Sequence, residues 1–254
     1  MRIELDPRHP EPQKIARAVQ SLRSGECIAY PTDTVYGLGC AMSEKRAVDA
    51  LYEMKRMRRE QPLALVVPDL SGISRFAVMQ DFHYRFIKHL VPGPYVFIIE
   101  ATREVPKLLM MKRKTIGIRV PDHPVPLALA RELGEPIIST TASHPAEGED
   151  PIQDPDVIDE RFPQLSMVLD AGFGDLHCST VIDLTAAEPR LIRAGAGMEL
   201  LEKKYGLRSP NGESTARQAV DNLQGVDLGL VLGEAIAEGL HQPGGFRLGG
   251  RVEA

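Results

Sequence analysis

Nowhere does the chain offer about 18 uncharged apolar residues in a row, the length a bilayer demands. Its start, Met1-Arg2-Ile3-Glu4-Leu5-Asp6, is acidic where an export leader is apolar. No membrane association is expected, and a cytoplasmic protein is predicted. Cysteine is scarce: Cys27, Cys40 and Cys178 are odd in number and far apart. That excludes both a CxxC zinc or redox pair and a closed disulfide framework, and leaves the three as packing residues in a reducing compartment. The 20 prolines and 22 glycines show no period, so collagen-like and solenoid architectures are excluded. Positive charge is not in excess either. A formal net charge of −5 does not suit a protein that coats nucleic acid by bulk electrostatics, so any anion site must be a local concentration of cations.

What is present is an ordinary globular composition. The 254 residues, 43% of them apolar, suffice for one substantial core or two small ones without staples. Ile15, Ala18, Val19 and Leu22 recur at helical spacing after Pro12, and Gly25 stands where that helix would stop. The apolar run at 27–30 reads as a strand entering the loop 31–39, after which Ser43 is expected to cap a helix carrying Ala47, Val48, Leu51 and Met54 inward. Further strands are predicted at 63–67, 95–100, 115–120, 136–140, 167–170, 180–184 and 191–193, with helices at 82–90, 125–133 and 198–205. This alternation predicts a twisted mixed sheet covered by helices, as one α/β core over residues 1–206. Residues 207–254, opened by Ser209-Pro210-Asn211-Gly212, read as a turn-rich appendage with one short helix at 226–240.

Several segments could carry chemistry. Pro31-Thr32-Asp33-Thr34-Val35-Tyr36-Gly37-Leu38-Gly39 places three hydroxyls and a carboxylate between a buried strand and a helix start, with two glycines that let backbone approach a ligand. Phosphate loops are often built this way. A turn whose Asp33 and threonines satisfy their own backbone is an equal alternative. Lys55, Arg56, Arg58 and Arg59 can bind phosphate oxygens, or complement a helix C-terminus as a solvated face, the commoner outcome. Arg119 interrupts an apolar alternation near the end of its strand and needs an anionic partner, either a structural carboxylate or a ligand carboxylate. Lys112, Arg113 and Lys114 read as solvated. Ser139-Thr140-Thr141-Ala142-Ser143-His144 closes a buried strand at its carboxyl end, where open α/β sheets bind ligands. Ser179-Thr180 and Arg193-Ala194-Gly195 repeat that arrangement. Neither His123 nor His144 has a partner at metal-ligand spacing, so no protein-held metal is predicted.

In order, Pro31 to Gly39, Lys55, Pro92-Gly93-Pro94, Arg119-Val120-Pro121-Asp122-His123-Pro124, Ser139-Thr140, Ser179-Thr180-Val181-Ile182-Asp183 and Arg193-Ala194-Gly195 resemble the YrdC/YciO family pattern over roughly residues 12–205. The resemblance implies an L-threonylcarbamoyladenylate synthase fold, an α/β (α+β) twisted mixed sheet flanked by helices with a concave basic face. It implies binding of ATP with Mg²⁺, L-threonine and bicarbonate, and of tRNA or other double-stranded RNA, in t6A modification. By similarity Thr32, Thr34, Tyr36, Arg119 and Ser179 would hold threonine. Lys55, Ser139, Thr141, Ser143 and Arg193 would surround the nucleotide, with Lys55, Arg56 and Arg58 as the catalytic cations. The family's Lys-x-Arg stands here as Lys55-Arg56-Met57, and its Ser-x-Asn as Thr141-Ala142-Ser143. On a helix, Arg56 and Arg58 would each lie about 100° from residue 57. These departures make the chain resemble the YciO-type branch. They leave open a second class of function, an RNA- or nucleotide-binding protein without synthase activity.

Overall fold

The computed structural model describes residues 1–59, 61–111, 114–143 and 150–208. Lys112, Arg113, His144 and all but the first two residues of the 207–254 appendage lie outside them. The described strands are β1 (Arg2–Glu4), β2 (Ile28–Tyr30), β3 (Gly37–Ala41), β4 (Ala64–Val66), β5 (Tyr95–Glu100), β6 (Thr115–Arg119), β7 (Ile137–Thr141), β8 (Met167–Asp170), β9 (Thr180–Asp183) and β10 (Arg190–Arg193). The helices are α1 (Pro12–Arg23), α2 (Lys45–Met54), α3 (Leu70–Phe76), α4 (Asp81–Ile87), α5 (Pro124–Leu133), α6 (Pro155–Arg161) and α7 (Met198–Tyr205). Among the described residues the strands form one ten-stranded mixed sheet in the order β1-β8-β2-β3-β7-β4-β6-β5-β9-β10.

Side-chain alternation sends successive strand residues to opposite faces, and the two faces are covered differently. On one face Ala29, Leu38, Cys40, Leu65, Ile116, Ile118, Phe97 and Ile138 form the larger core with Leu51 of α2, Ile73 of α3, Phe86 of α4, Ile158 of α6 and Leu201 of α7. On the other, Ile28, Tyr30, Val66, Ile137 and Leu169 pack under Ile15, Val19 and Leu22 of α1 and Leu129 and Leu133 of α5. Each fully buried aliphatic side chain here is worth about 1.5–3 kcal/mol. Helices α1 and α5 cover only the first half of that face. The half built by β6, β5, β9 and β10 carries just a small apolar cluster of Val96, Ile98, Val181, Met111 and Ile192, and these two helices leave it uncovered.

Local expectations fare unevenly. Helix α1 begins at Pro12 and ends before Gly25, whose φ is 77°, as the pattern predicts. The predicted strand, loop and helix at 27–54 is instead strand, loop, strand and helix. Gly37–Ala41 is β3, antiparallel to both β2 and β7. Its glycines supply close packing: a Cβ on Gly39 would lie 2.7 Å from the Ile138 carbonyl oxygen and 3.0 Å from the Tyr30 ring. Ser43 does not cap α2. Glu44 stands at that position without a side-chain cap, and Ser43 Oγ donates to Glu135 at 2.7 Å. Helix α2 ends at Met54, and Arg56 has a left-handed φ of 52°. Residues 55–58 are therefore not helical, and the expected 100° offsets of Arg56 and Arg58 do not apply. The short elements β1, α3 and α6 were not foreseen. Cys27, Cys40 and Cys178 are all buried and free, as expected. No helix among the described residues is long and apolar enough to cross a membrane.

Candidate functional site

The uncovered half of the sheet holds a cavity of about 140 Å³. Its floor is made of alternate strand residues, among them Ala64 and Val66 of β4, Gly117 of β6, Val96 and Ile98 of β5 and Val181 of β9. The strand register sets Gly39, Ser139, Ala64, Gly117 and Ile98 side by side in one row across five strands. Small side chains in the middle of that row keep the floor low. A Cβ on Gly117 would stand 3.2 Å from Val96 Cγ1 and fill part of it.

The loop between β2 and β3 forms one wall, and its two readings hold for different residues. Thr32 satisfies the turn itself: its Oγ1 donates to the Val35 carbonyl at 2.7 Å and accepts from the Thr34 amide at 3.1 Å. Asp33 does not serve its own backbone. It is the carboxylate partner of Arg119, whose Nη2 donates to Asp33 Oδ1 and, at 3.0 Å, to Thr34 Oγ1. The anionic partner that Arg119 requires is thus a structural carboxylate from the loop, while Arg119 also lines the cavity. Thr34 is buried behind it. Tyr36 is among the cavity-lining residues and fixes a neighbouring loop, its hydroxyl donating to the Gly172 carbonyl at 2.7 Å and accepting from the Ala171 amide at 3.1 Å. Burial pushes that phenol up to about 12, so it remains a protonated donor near neutral pH.

The opposite walls come from β7, β9 and β10. Ser139 accepts from the Tyr30 hydroxyl at 2.6 Å and, with Thr140 and Thr141, lines the cavity, although the Thr140 hydroxyl itself turns to Met57 Sδ. Arg193 lies against Ser179, its Nε and Nη2 donating to the Ser179 carbonyl at 3.2 and 2.9 Å and Nη2 to Ser179 Oγ at 3.2 Å. The turn after Arg193 must be glycine at 195, where a Cβ would lie 2.2 Å from the Cys178 carbonyl oxygen. Thr180 locks it, donating to the Ala196 carbonyl at 2.8 Å and accepting from the Gly195 amide at 3.0 Å.

Seven of the residues singled out from the sequence therefore line one cavity: Thr32, Tyr36, Arg119, Ser139, Thr141, Ser179 and Arg193. Lys55 stands apart. It is 1% exposed, and its Nζ donates to the Thr141 carbonyl at 2.6 Å, to the Ser143 carbonyl and, at 3.3 Å, to Ser143 Oγ. The ammonium ties the end of β7 to the end of α2 and is not among the cavity-lining groups. Burial pushes it down to about 7, opposed by three acceptors that favour the three-donor ammonium. Ser143 is buried with it. Arg56 and Arg58 are exposed and also outside the cavity lining. Met57 packs against the larger core, and its Sδ accepts from Thr140 Oγ1 at 3.9 Å.

Sequence reasoning missed Asp33 as a partner and the whole apolar floor. Gly117 inside Thr115-Ile116-Gly117-Ile118-Arg119 was the available signal, since glycine within a strand marks a close approach. Among the described residues no group of three or more His, Cys, Asp or Glu could hold a metal ion.

Comparison with known proteins follows the same outline. Residues 20–195 match the Sua5_yciO_yrdC family model, described as "Telomere recombination". The "Uncharacterized protein YciO" of Escherichia coli is 37% identical over 195 residues, covering 76% of this chain and 94% of its own, and the E. coli YciO crystal structure superposes with a TM-score of 0.74. The "Threonylcarbamoyl-AMP synthase" of Homo sapiens is 33% identical over 207 residues, 77% of this chain and 73% of its own. P. abyssi Sua5 complexed with L-threonine is 27% identical and superposes with a TM-score of 0.75, over 85% of this chain and 65% of its own. The cavity-lining residues, Thr32 to Arg193, lie within residues 20–195, and the chain belongs to the Sua5/YciO/YrdC family.

Proposed function

We propose that this chain is an L-threonylcarbamoyladenylate synthase-like protein that binds L-threonine and ATP in the cavity over β4, β6, β5, β9 and β10. The observation that carries the reading is the convergence of Thr32, Arg119, Ser139, Ser179 and Arg193 on one cavity from five separated stretches of sequence. Two guanidinium groups and a ring of hydroxyls above an apolar floor suit a small carboxylate beside a heteroaromatic base and its phosphates. A Sua5 structure with L-threonine and relatives named for threonylcarbamoyl-AMP support the substrate classes. In the reaction, the threonine amine takes up bicarbonate as a carbamate, whose oxygen attacks the α-phosphorus and expels pyrophosphate. No covalent nucleophile is needed; positioning and charge stabilisation are. Mg²⁺ would arrive with ATP, its oxygens supplied mainly by the phosphates. The setting is the cytoplasm and t6A synthesis on tRNA.

The test is pyrophosphate release that requires threonine and bicarbonate together. Release that ignores either, or none with metal supplied and with the preformed adenylate also untouched, overturns the synthase reading.

One observation favours a second reading. Lys55, which the resemblance places on the nucleotide, is engaged by two carbonyls, and Met57 stands in place of a cation. A nucleotide- or RNA-binding protein without synthase activity would keep the cavity and lose turnover. It requires RNA affinity whose logarithm falls linearly with the logarithm of salt. Salt-insensitive or absent RNA binding removes its RNA form.

A further inference from the structure

Two of the buried cysteines face each other. In the β2–β3 ladder Ile28 stands opposite Gly39 and Ala29 opposite Leu38, so the same register carried one residue back sets Cys27 opposite Cys40. Both side chains belong to the larger core, Cys27 being 4% exposed and Cys40 fully buried. The Cys27 carbonyl accepts from the Ser166 amide at 3.0 Å and the Ser166 hydroxyl at 3.1 Å rather than from the Cys40 amide. This is the non-hydrogen-bonded kind of antiparallel pair, in which facing Cα atoms stand about 4.5 Å apart and side chains come closest. A disulfide spans Cα separations of about 4.4–6.8 Å, so the two can be joined without displacing the strands.

The two thiols are chemically unequal. Cys27 Sγ donates to the Ala47 carbonyl at 3.4 Å, and the neighbouring Cys40 side chain hydrogen-bonds to that sulfur. The contact pulls Cys27 below the ordinary thiol range, while the same contact and burial push Cys40 up. An attacking thiolate thus stands beside a second thiol that can resolve its oxidised form. The first turn of α2, through Ala47, lies on Cys27. Glu44 gives that turn no side-chain cap and its first turn holds no acidic residue, so this part of the cover opens most easily.

We propose that Cys27 and Cys40 form a reversible dithiol–disulfide site, closed by peroxide and reopened by small thiols, which staples the β2–β3 hairpin that carries the Thr32–Tyr36 wall of the cavity. The Cys27 thiolate attacks one oxygen of hydrogen peroxide, the O–O bond breaks, and a sulfenic acid and one water result. The Cys40 sulfur then displaces the hydroxyl, which leaves with the Cys40 proton as a second water. One S–S bond has formed, two thiols are oxidised and one peroxide is reduced. A small thiol reverses the change through a mixed disulfide.

The folded full chain is treated with hydrogen peroxide, quenched in acid, alkylated in denaturant and mapped as tryptic peptides without reductant. Both cysteines fall on the single peptide from Ser24 to Lys45. That peptide should be unalkylated and about 2 Da lighter, irrespective of any oxygen on Met42, and should return to the doubly alkylated form after dithiothreitol. The oxidised chain should melt about 5–10 °C higher, because the bridge closes a short loop. Two alkylated cysteines after peroxide, cysteines carrying oxygen instead of a bridge, or a bridge from either one to Cys178 overturns the proposal. So does a Cys27–Cys40 bridge that leaves the melting temperature unchanged or lower. Cys40→Ala should stop the oxidation of Cys27 at the sulfenic acid, trapped by dimedone; should that variant fail to fold, the wild-type peptide map decides by itself.

Discussion

The two ends of the cavity use their cations in opposite ways. On the strand faces of β6 and β10, Arg119 and Arg193 are anchored by a few contacts each, to Asp33 and Thr34 and to Ser179, and still border the cavity. At the β7 end, Lys55 is folded inward onto Thr141 and Ser143, and Arg56 and Arg58 are exposed where helix α2 has already ended. A basic cluster in sequence is thus no guide to a basic site. What places a cation in a cavity is a strand face, as for Arg119 and Arg193, or an end-of-helix turn that points it there, which the left-handed Arg56 does not provide.

Substitutions at the two ends should separate accordingly. The largest effect is expected for Arg119→Ala, which removes the carboxylate partner and strands Asp33 as a buried charge; threonine affinity should fall about 100-fold or more, and Arg119→Lys should restore little because the forked donors are lost. Calorimetry checks this, and near-normal binding in Arg119→Ala would break the contrast at its strong end.

Next is Lys55→Met, which leaves two buried carbonyls unpaired and should cost about 2–3 kcal/mol in urea unfolding while changing threonine affinity far less. A pH series sharpens it. Lys55 is pushed from 10.5 to about 7 by burial, so between those values the unfolded chain holds a proton that the folded chain has released. Wild-type stability, relative to Lys55→Met, should therefore rise from pH 7 to pH 10 and be weakest below 7. A relative stability that falls over this range means that Lys55 keeps its proton and its acceptors outweigh desolvation.

Smaller still is Gly117→Ala, whose methyl would meet Val96 Cγ1 at 3.2 Å on the cavity floor. Ligand affinity should drop roughly three- to tenfold with stability within about 1 kcal/mol of wild type, since the strand itself gains from losing a glycine. The smallest effect on binding is expected for Arg56→Ala, an exposed change outside the cavity lining that should alter threonine affinity under about threefold. A large loss of ATP affinity in Arg56→Ala would show that the β7 end does recruit its outer cations.

Legibility in the sequence followed the same divide. Helices α1 and α5 declared themselves through 3.6-residue periodicity with Pro12 and Pro124 at their starts, and the apolar strand runs were found to within one or two residues. The hairpin β2–β3 was not, because Gly37 and Gly39 look like loop residues until Tyr30 is seen lying across them. Arg119 announced a missing anion by interrupting an apolar strand. That the anion is Asp33 depends on a contact between residues 86 positions apart, which no local pattern encodes. Lys55 was legible only as a charge; its inward direction follows from where β7 ends in space.

The most direct test of the central claim is a crystal structure of the full chain with L-threonine and a non-hydrolysable ATP analogue. The expected result is the threonine carboxylate on Arg119, beside the Thr32–Thr34 loop, with the nucleotide over the floor at Ala64 and Gly117 and Lys55 still bonded to Thr141 and Ser143. Threonine bound elsewhere, or Lys55 withdrawn from those carbonyls and placed on a phosphate, would contradict the account.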